Sequence, residues 1–300
     1  MTRRLFHLVN AVVLAAFLLP IQSLAAHHHK TKDMQSLAGP AERTEIPIRV
    51  YRGYLVIVVG SIGSLEQQNL LVDTGTDRSI VNVRIARALD LPTRTGKLTV
   101  ANDTVETEAT VLPELRVGPV HHTNLPVSVH DLDLLEHDLG IPVAAVIGLD
   151  VLGQSSFRLD YFAKRLIFGP VAAQGISLPF EGERPFVTIS LFVGNEHVDL
   201  LVDTGAAGLI FFESRVGKRL ALGELSGLRR DSTLVGSFQT QIVSPGELRL
   251  GGRQFHLQKA FLAKDRQDAS TTFDGLLGVG AMGFKSIAFD FESNVVYLQI

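Results

Sequence analysis

The sequence predicts a mostly β protein built from two similar halves, and three observations carry that prediction. The hexapeptide LLVDTG occurs twice, as Leu70-Leu71-Val72-Asp73-Thr74-Gly75 and as Leu200-Leu201-Val202-Asp203-Thr204-Gly205. Apolar, β-branched runs such as Tyr54-Leu55-Val56-Ile57-Val58-Val59 alternate with glycine turns, and helical periodicity is confined to short places such as Val83 to Leu91. Further matched segments accompany each hexapeptide at a nearly constant offset.

With 300 residues, 46% of them hydrophobic, the chain can bury one large or two modest cores. Its formal charge of -3 and lack of long basic runs argue against nucleic acid as a partner. The absence of cysteine leaves stability to the core and excludes thiol nucleophiles, thiolate metal sites and lipidated cysteine.

Residues 1–25 read as an export signal. Arg3 and Arg4 precede an apolar run from Leu8 to Leu19, and Ser23-Leu24-Ala25 supplies the small residues a signal peptidase accepts, so the mature chain is expected to start near Ala26 in the periplasm or beyond. The arginine pair also fits a twin-arginine signal, although the general secretory route is the stronger expectation. The run is short for an uncleaved anchor, which stays open as the alternative. No membrane span is expected after signal removal.

Residues 26–43 show no apolar period and read as a flexible leader. His27, His28 and His29 make a copper or nickel site conceivable, a solvated tail being the simpler view, and Lys30, Lys32 or Arg43 would suit an activation segment reaching an acidic site.

From Glu45 onward the pattern is strands. Residues 54–59 form the first, and a turn at Gly60 to Gly63 leads into the first LLVDTG. Val105, Thr107, Ala109 and Val111 alternate with Thr104, Glu106, Glu108 and Thr110, which predicts a half-buried strand entered through a turn at Asn102-Asp103. In the second half Val187–Leu191 leads through Gly194-Asn195-Glu196 into the second LLVDTG. Residues 84–91 match 215–222, Glu114–Gly118 match Glu247–Gly251, Val146-Ile147-Gly148 match Leu276-Leu277-Gly278, and Leu159-Asp160 match Phe289-Asp290. The offset drifts slightly and returns to 130, as an internal duplication with small loop differences requires. Two halves follow, residues 44–172 and 173–300, expected to pack about a pseudo-twofold axis.

If each LLVDTG strand ends at that axis, Asp73 and Asp203 face each other. Two close carboxylates cannot both ionise, so they share a proton. One is then a base and the other an acid in a single site. A water deprotonated by the first can attack a carbonyl that the second protonates, with no covalent intermediate.

Asp-Thr-Gly in an apolar strand, followed some 75 residues later by two apolar residues and a glycine, resembles the retropepsin and pepsin superfamily of aspartic proteases. The stretch VTISLFVGNEHVDLLVDTGAAGLIF is especially similar to a retropepsin N-terminal half, and the whole resembles a retropepsin dimer fused into one chain. The resemblance extends patchily over residues 45–300. It implies a duplicated acid-protease β-barrel fold with the cleft between the halves, Asp73 and Asp203 as the catalytic dyad, and no cofactor or metal. Thr74 and Thr204 would hydrogen-bond across the axis to each other's backbone. Gly75 and Gly205 would permit the turn that brings amides to the carboxylates, and Gly148 and Gly278 would sit where a crossing strand passes behind the site. The substrate implied is a peptide or protein in extended conformation. A complete dyad in one chain removes the need to dimerise, so a monomer is expected.

The halves depart from one another in instructive places. After each Asp-Thr-Gly comes Thr76 in the first half and Ala206 in the second; a hydroxyl there can donate to the ionised dyad and lower its pKa whereas alanine cannot, so a mildly acidic optimum, less extreme than pepsin's, is expected. Asp77 matches the retropepsin acid at that place, whereas Ala207 does not. No tyrosine lies in the candidate flaps, Lys97 to Val111 and Thr233 to Ile242. His130 and His137 flank an acidic segment, Asp131 to Asp138, read as a solvated loop rather than a metal site. Two further readings remain beside the protease, an inactive peptide-binding module on the same fold and a structural β domain whose acids are turn residues.

Overall fold

The computed structural model describes residues 11–12, 16–17, 43–100, 103–181, 186–234, 236–264 and 272–300. The expected turn at Asn102 and nearly all of the expected signal and leader lie outside them.

In chain order the strands begin with two short ones, β1 (Ala11–Val12) and β2 (Ala16–Phe17), then β3 (Thr44–Pro47), β4 (Arg49–Tyr51), β5 (Leu55–Ile62), β6 (Leu65–Val72) and β7 (Ile80–Asn82). Helix α1 (Val83–Ala88) follows, capped by the Asn82 side chain, which accepts from Arg84 N. Next come β8 (Arg94–Val100), β9 (Asp103–Val117), β10 (Val120–His130), α2 (Asp133–Leu139), β11 (Ala145–Ile147), α3 (Leu149–Leu152), β12 (Phe157–Asp160) and β13 (Arg165–Phe168). The remainder comprises β14 (Ile176–Pro179), β15 (Thr188–Val193), β16 (Glu196–Val202), β17 (Leu209–Phe212), α4 (Glu213–Val216), β18 (Gly223–Thr233), β19 (Gly236–Ser244), β20 (Gly246–Leu250), β21 (Arg253–Leu257), β22 (Ala260–Ala263), β23 (Gly275–Leu277), β24 (Ser286–Asp290) and β25 (Val295–Gln299). The protein is mostly β.

Among the described residues the strands form three sheets. One runs β2-β8-β9-β10-β7-β11-β6-β5-β4, with β9 also reaching β5; another runs β1-β18-β19-β22-β17-β23-β16-β15-β20-β21. The Leu-Leu-Val of each LLVDTG is the fully buried end of a central strand. In β6 it lies parallel to β11, with Leu71 opposite Val146. In β16 it lies parallel to β23, with Leu201 opposite Leu276. Buried on both faces, these three residues read as a continuous apolar run, which is why they stand out in the sequence.

The third sheet is shared, in the order β14-β25-β24-β12-β13-β3. Its centre is the antiparallel pairing of β12 with β24, Phe157 opposite Phe289. The two rings stack with centroids 4.7 Å apart, and Phe291 joins them. A single large core cluster runs through strands of all three sheets.

Two expectations change. The alternation in β9 shifts phase: Thr110 is buried, its hydroxyl donating to Pro92 O, while Val111 is 46% exposed. The strand continues past its hairpin with β8 to pair with β5 at Leu115 and Arg116, so one alternation cannot serve its whole length. The acidic segment is the helix α2 rather than a loop. Glu136 fixes it by accepting from Arg84, Asn82 and Val143 N.

Candidate active site

The two strand ends meet. Asp73, Thr74, Asp203 and Thr204 are all completely buried. Thr74 N donates to Thr204 Oγ1 at 3.1 Å, and Thr204 N donates to Thr74 Oγ1 at 3.2 Å. Each hydroxyl donates in turn to the carbonyl preceding the other aspartate, Thr74 Oγ1 to Val202 O at 2.8 Å and Thr204 Oγ1 to Val72 O at 3.2 Å. Four hydrogen bonds thus lock the loops together with no buried hydroxyl or amide wasted.

This interlock sets the carboxyls side by side. Asp73 Oδ1 accepts from Gly75 N at 2.8 Å, and Asp203 Oδ1 accepts from Gly205 N at 2.7 Å. The Oδ2 atoms receive no N–H or O–H from the described residues, and the two carboxyls interact with each other. A Cβ on Gly75 would fall 2.4 to 2.6 Å from the Asp203 carboxyl, so only glycine lets the loops approach this closely. Behind them Gly148 would place a Cβ 2.8 Å from Thr76 O, and Gly278 would place one 2.2 Å from Ala206 O. Both glycines therefore stand where β11 and β23 end against the loops.

Burial makes the pair weakly acidic. It pushes Asp73 up to about 7, against the opposing pull of the Gly75 amide. Asp203 is raised as well, first by burial and then by the charge of Asp73. Two such carboxyls hold one proton between them. One carboxylate beside one carboxylic acid can take a proton from one reactant and give another to its partner.

Thr76 does not act as expected. Its hydroxyl donates to Arg78 O at 2.9 Å rather than to the dyad. That hydroxyl therefore offers the dyad no acidifying contact. On the second side Ala206 N donates weakly to Asp203 O at 3.4 Å.

Three features escaped the sequence reading. Behind the first loop, Ser79 donates to both oxygens of the half-buried Asp150, through N at 3.0 Å and Oγ at 2.7 Å, and Ser79 Oγ accepts from Gly148 N. Tyr161, in the turn after β12, buries its phenol oxygen near the dyad; its pKa is raised by burial and then by the charges of Asp203 and Asp73. Gly280 makes room for that ring, since a Cβ there would meet it at 2.8 Å. The residue 130 positions on is Phe291, so a tyrosine in place of phenylalanine was the available signal. Third, in the hairpin β18–β19, Arg229 pairs with the buried Asp231 at 2.6 Å and lies over the Phe261 ring at 3.1 Å. The carboxylate also accepts from Thr240 at 2.7 Å. Among the described residues no cluster of histidines and acids could hold a metal ion.

A family model described as aspartyl protease matches residues 58–151, from β5 through α3. The match includes Asp73, Thr74, Gly75 and Gly148. No curated protein matches the chain.

Proposed function

We propose that the chain is an exported aspartic endopeptidase that hydrolyses peptide bonds by general acid/base catalysis between Asp73 and Asp203. The observation that carries this reading is the pair of fully buried, mutually interacting carboxyls set by reciprocal threonine hydrogen bonds. The aspartyl protease match over residues 58–151 supports it independently. Residues 44–172 and 173–300 are two halves related by a pseudo-twofold axis through the dyad, a duplicated acid-protease fold. Residues 1–25 direct export to the periplasm or beyond, and the working form is a monomer.

In this mechanism Asp73 takes a proton from water. The water oxygen attacks the scissile carbonyl carbon while Asp203 gives its proton to the carbonyl oxygen. Collapse of the tetrahedral intermediate breaks the C–N bond: Asp73 gives the departing nitrogen the proton taken from water, and Asp203 recovers its proton from the intermediate's hydroxyl. Thr74, Thr204, Gly75 and Gly205 position the carboxyls throughout. The edges of the β8–β9 and β18–β19 hairpins supply main-chain hydrogen bonds to an extended peptide.

Incubating the protein with a mixed peptide library, with and without a statine-type transition-state mimic, tests this. Cleavage blocked by the mimic is expected. Binding of the mimic without any turnover would instead favour an inactive peptide-binding module.

A further inference from the structure

The two long hairpins close alike, Val100 opposite Asp103 in β8–β9 and Thr233 opposite Gly236 in β18–β19. Counting back from those ends, Arg229 stands where the first hairpin has Gly96, each opposite a threonine, and Asp231 stands where it has Leu98. Phe261 pairs with Ile210 and Ser128 with Ile80, and those isoleucines keep the common offset of 130, so Phe261 stands where the first half has Ser128. After the Asp-Thr-Gly turns, Ala207 stands where the first half has Asp77. These four places differ together, and in the second half Arg229 touches the other three residues.

Arg229 Nη1 donates to Ala207 O at 3.0 Å, Nε donates to Asp231 Oδ2 at 3.0 Å, and the guanidinium lies over the Phe261 ring. Its side chain is nine-tenths buried and Asp231 wholly so. Ala207 lies two residues past Gly205, on the loop that carries Asp203, so the guanidinium reaches from the hairpin to the floor of the site. Ala207 also packs against a core cluster drawn mainly from the first half, Tyr54 and Ile57 among its members, which sets this contact at the boundary between the halves. A peptide bound along the hairpin edges runs through the gap that Arg229 spans. On that side its side chain meets a guanidinium held against a ring; at the matching place on the other side stand Leu98, Ser128 and the bare Gly96.

We propose that the Arg229–Asp231 pair determines specificity by making the two sides of the cleft unequal: the second-half side takes a small, uncharged side chain and the first-half side a larger aliphatic one. The proposal rests on the peptidase reading above. Lysine or arginine brought beside Arg229 meets like charge, and aspartate or glutamate meets the Asp231 carboxylate. Leucine or phenylalanine has to displace a guanidinium held by two hydrogen bonds and a ring, which leaves Asp231 buried without its partner. Glycine, alanine and serine disturb none of these contacts. Beside Leu98 no such penalty arises.

The test sequences the products of a mixed peptide library and aligns them on the cleaved bond. At one position on one side, the native chain should favour glycine, alanine and serine at least about tenfold over leucine, phenylalanine, lysine and arginine, while the position equally far on the other side accepts leucine. Two variants remove both charges together, so that neither is stranded. Arg229→Ala with Asp231→Leu opens the space, and Arg229→Met with Asp231→Leu fills it with a flexible apolar chain. Each, once its unfolding midpoint shows it folded, should raise cleavage of peptides with leucine or phenylalanine at that position about tenfold relative to alanine, on that side alone. Equal profiles on the two sides of the bond in the native chain overturn the proposal and leave the peptidase reading standing. An asymmetry unchanged in a folded variant, or relaxed on both sides at once, also overturns it; should neither variant fold, the native profile decides alone. A native chain that cleaves nothing in the library defeats the peptidase reading, and the proposal with it.

Discussion

Asp73 and Asp203 share one completely buried site, where two close carboxyls cannot both ionise. Removing either functional group should therefore remove the chemistry, and Asp203→Asn is expected to lower kcat/KM for a library-selected peptide at least a hundredfold, the scale of general acid/base catalysis. The same burial links the dyad to stability. Both carboxyls titrate above the ordinary value, so the folded state favours their protonated forms. That contribution is fully present below the ordinary carboxylate range and is lost as pH rises through the folded-state values. Denaturant midpoints at pH 4, 6 and 8 should fall with pH in the native chain, and Asp203→Asn should flatten the fall; parallel slopes would contradict this. The Thr74 and Thr204 hydroxyls each bridge the two loops, and Thr204→Val should cost about 1–3 kcal/mol by leaving buried partners unsatisfied, read by the same denaturation.

Among the elements, the two hairpins are alike in register but not in content. Leu98, two residues before the end of β8, is an ordinary buried leucine. The corresponding place in β18 is Asp231, completely buried and held by Arg229 and Thr240. Replacing Arg229 by Met would strand that carboxylate, and thermal or chemical unfolding should show a loss of about 3–5 kcal/mol near neutral pH. The loss should shrink in acid, where Asp231 takes a proton; its carboxyl is already pushed upward by burial. How much was legible differed by element. The ends of β6 and β16 were plain because a stretch buried on both faces is apolar throughout, and β15 because its buried and exposed residues alternate. Strand β9 was misjudged beyond Ala109 because it leaves one partner for another, and a partner change leaves no local mark. Helix α2 was missed because Glu136, Asp138 and His137 gave it a polar aspect, while the residues that bury it, Leu135 and Leu139, are only two. Thr76 misled because its hydroxyl had a nearer acceptor in its own turn, a matter of backbone geometry rather than residue type.

For the whole molecule, the shared six-stranded sheet is what makes the dyad's position a property of both chain segments at once. Phe157 sits at its centre against Phe289, so Phe157→Ala should cost about 3–5 kcal/mol and move a single unfolding transition rather than split it. Two resolved transitions in calorimetry would mean that the chain segments fold separately. The matched segments were readable because they keep one offset along the sequence, whereas Tyr161 and the Arg229–Asp231 pair were not, since the residues at that offset differ from them. Everything converges on a buried pair of carboxyls that titrates far above ordinary acids. The pH dependence of kcat/KM for one cleaved peptide tests that most directly. A bell-shaped profile is expected, with an acid limb near the value of about 7 to which burial pushes Asp73, absent when Asp203 is Asn. A maximum below about pH 3, the mark of a dyad acidified by its surroundings, or cleavage that survives in Asp203→Asn would contradict it.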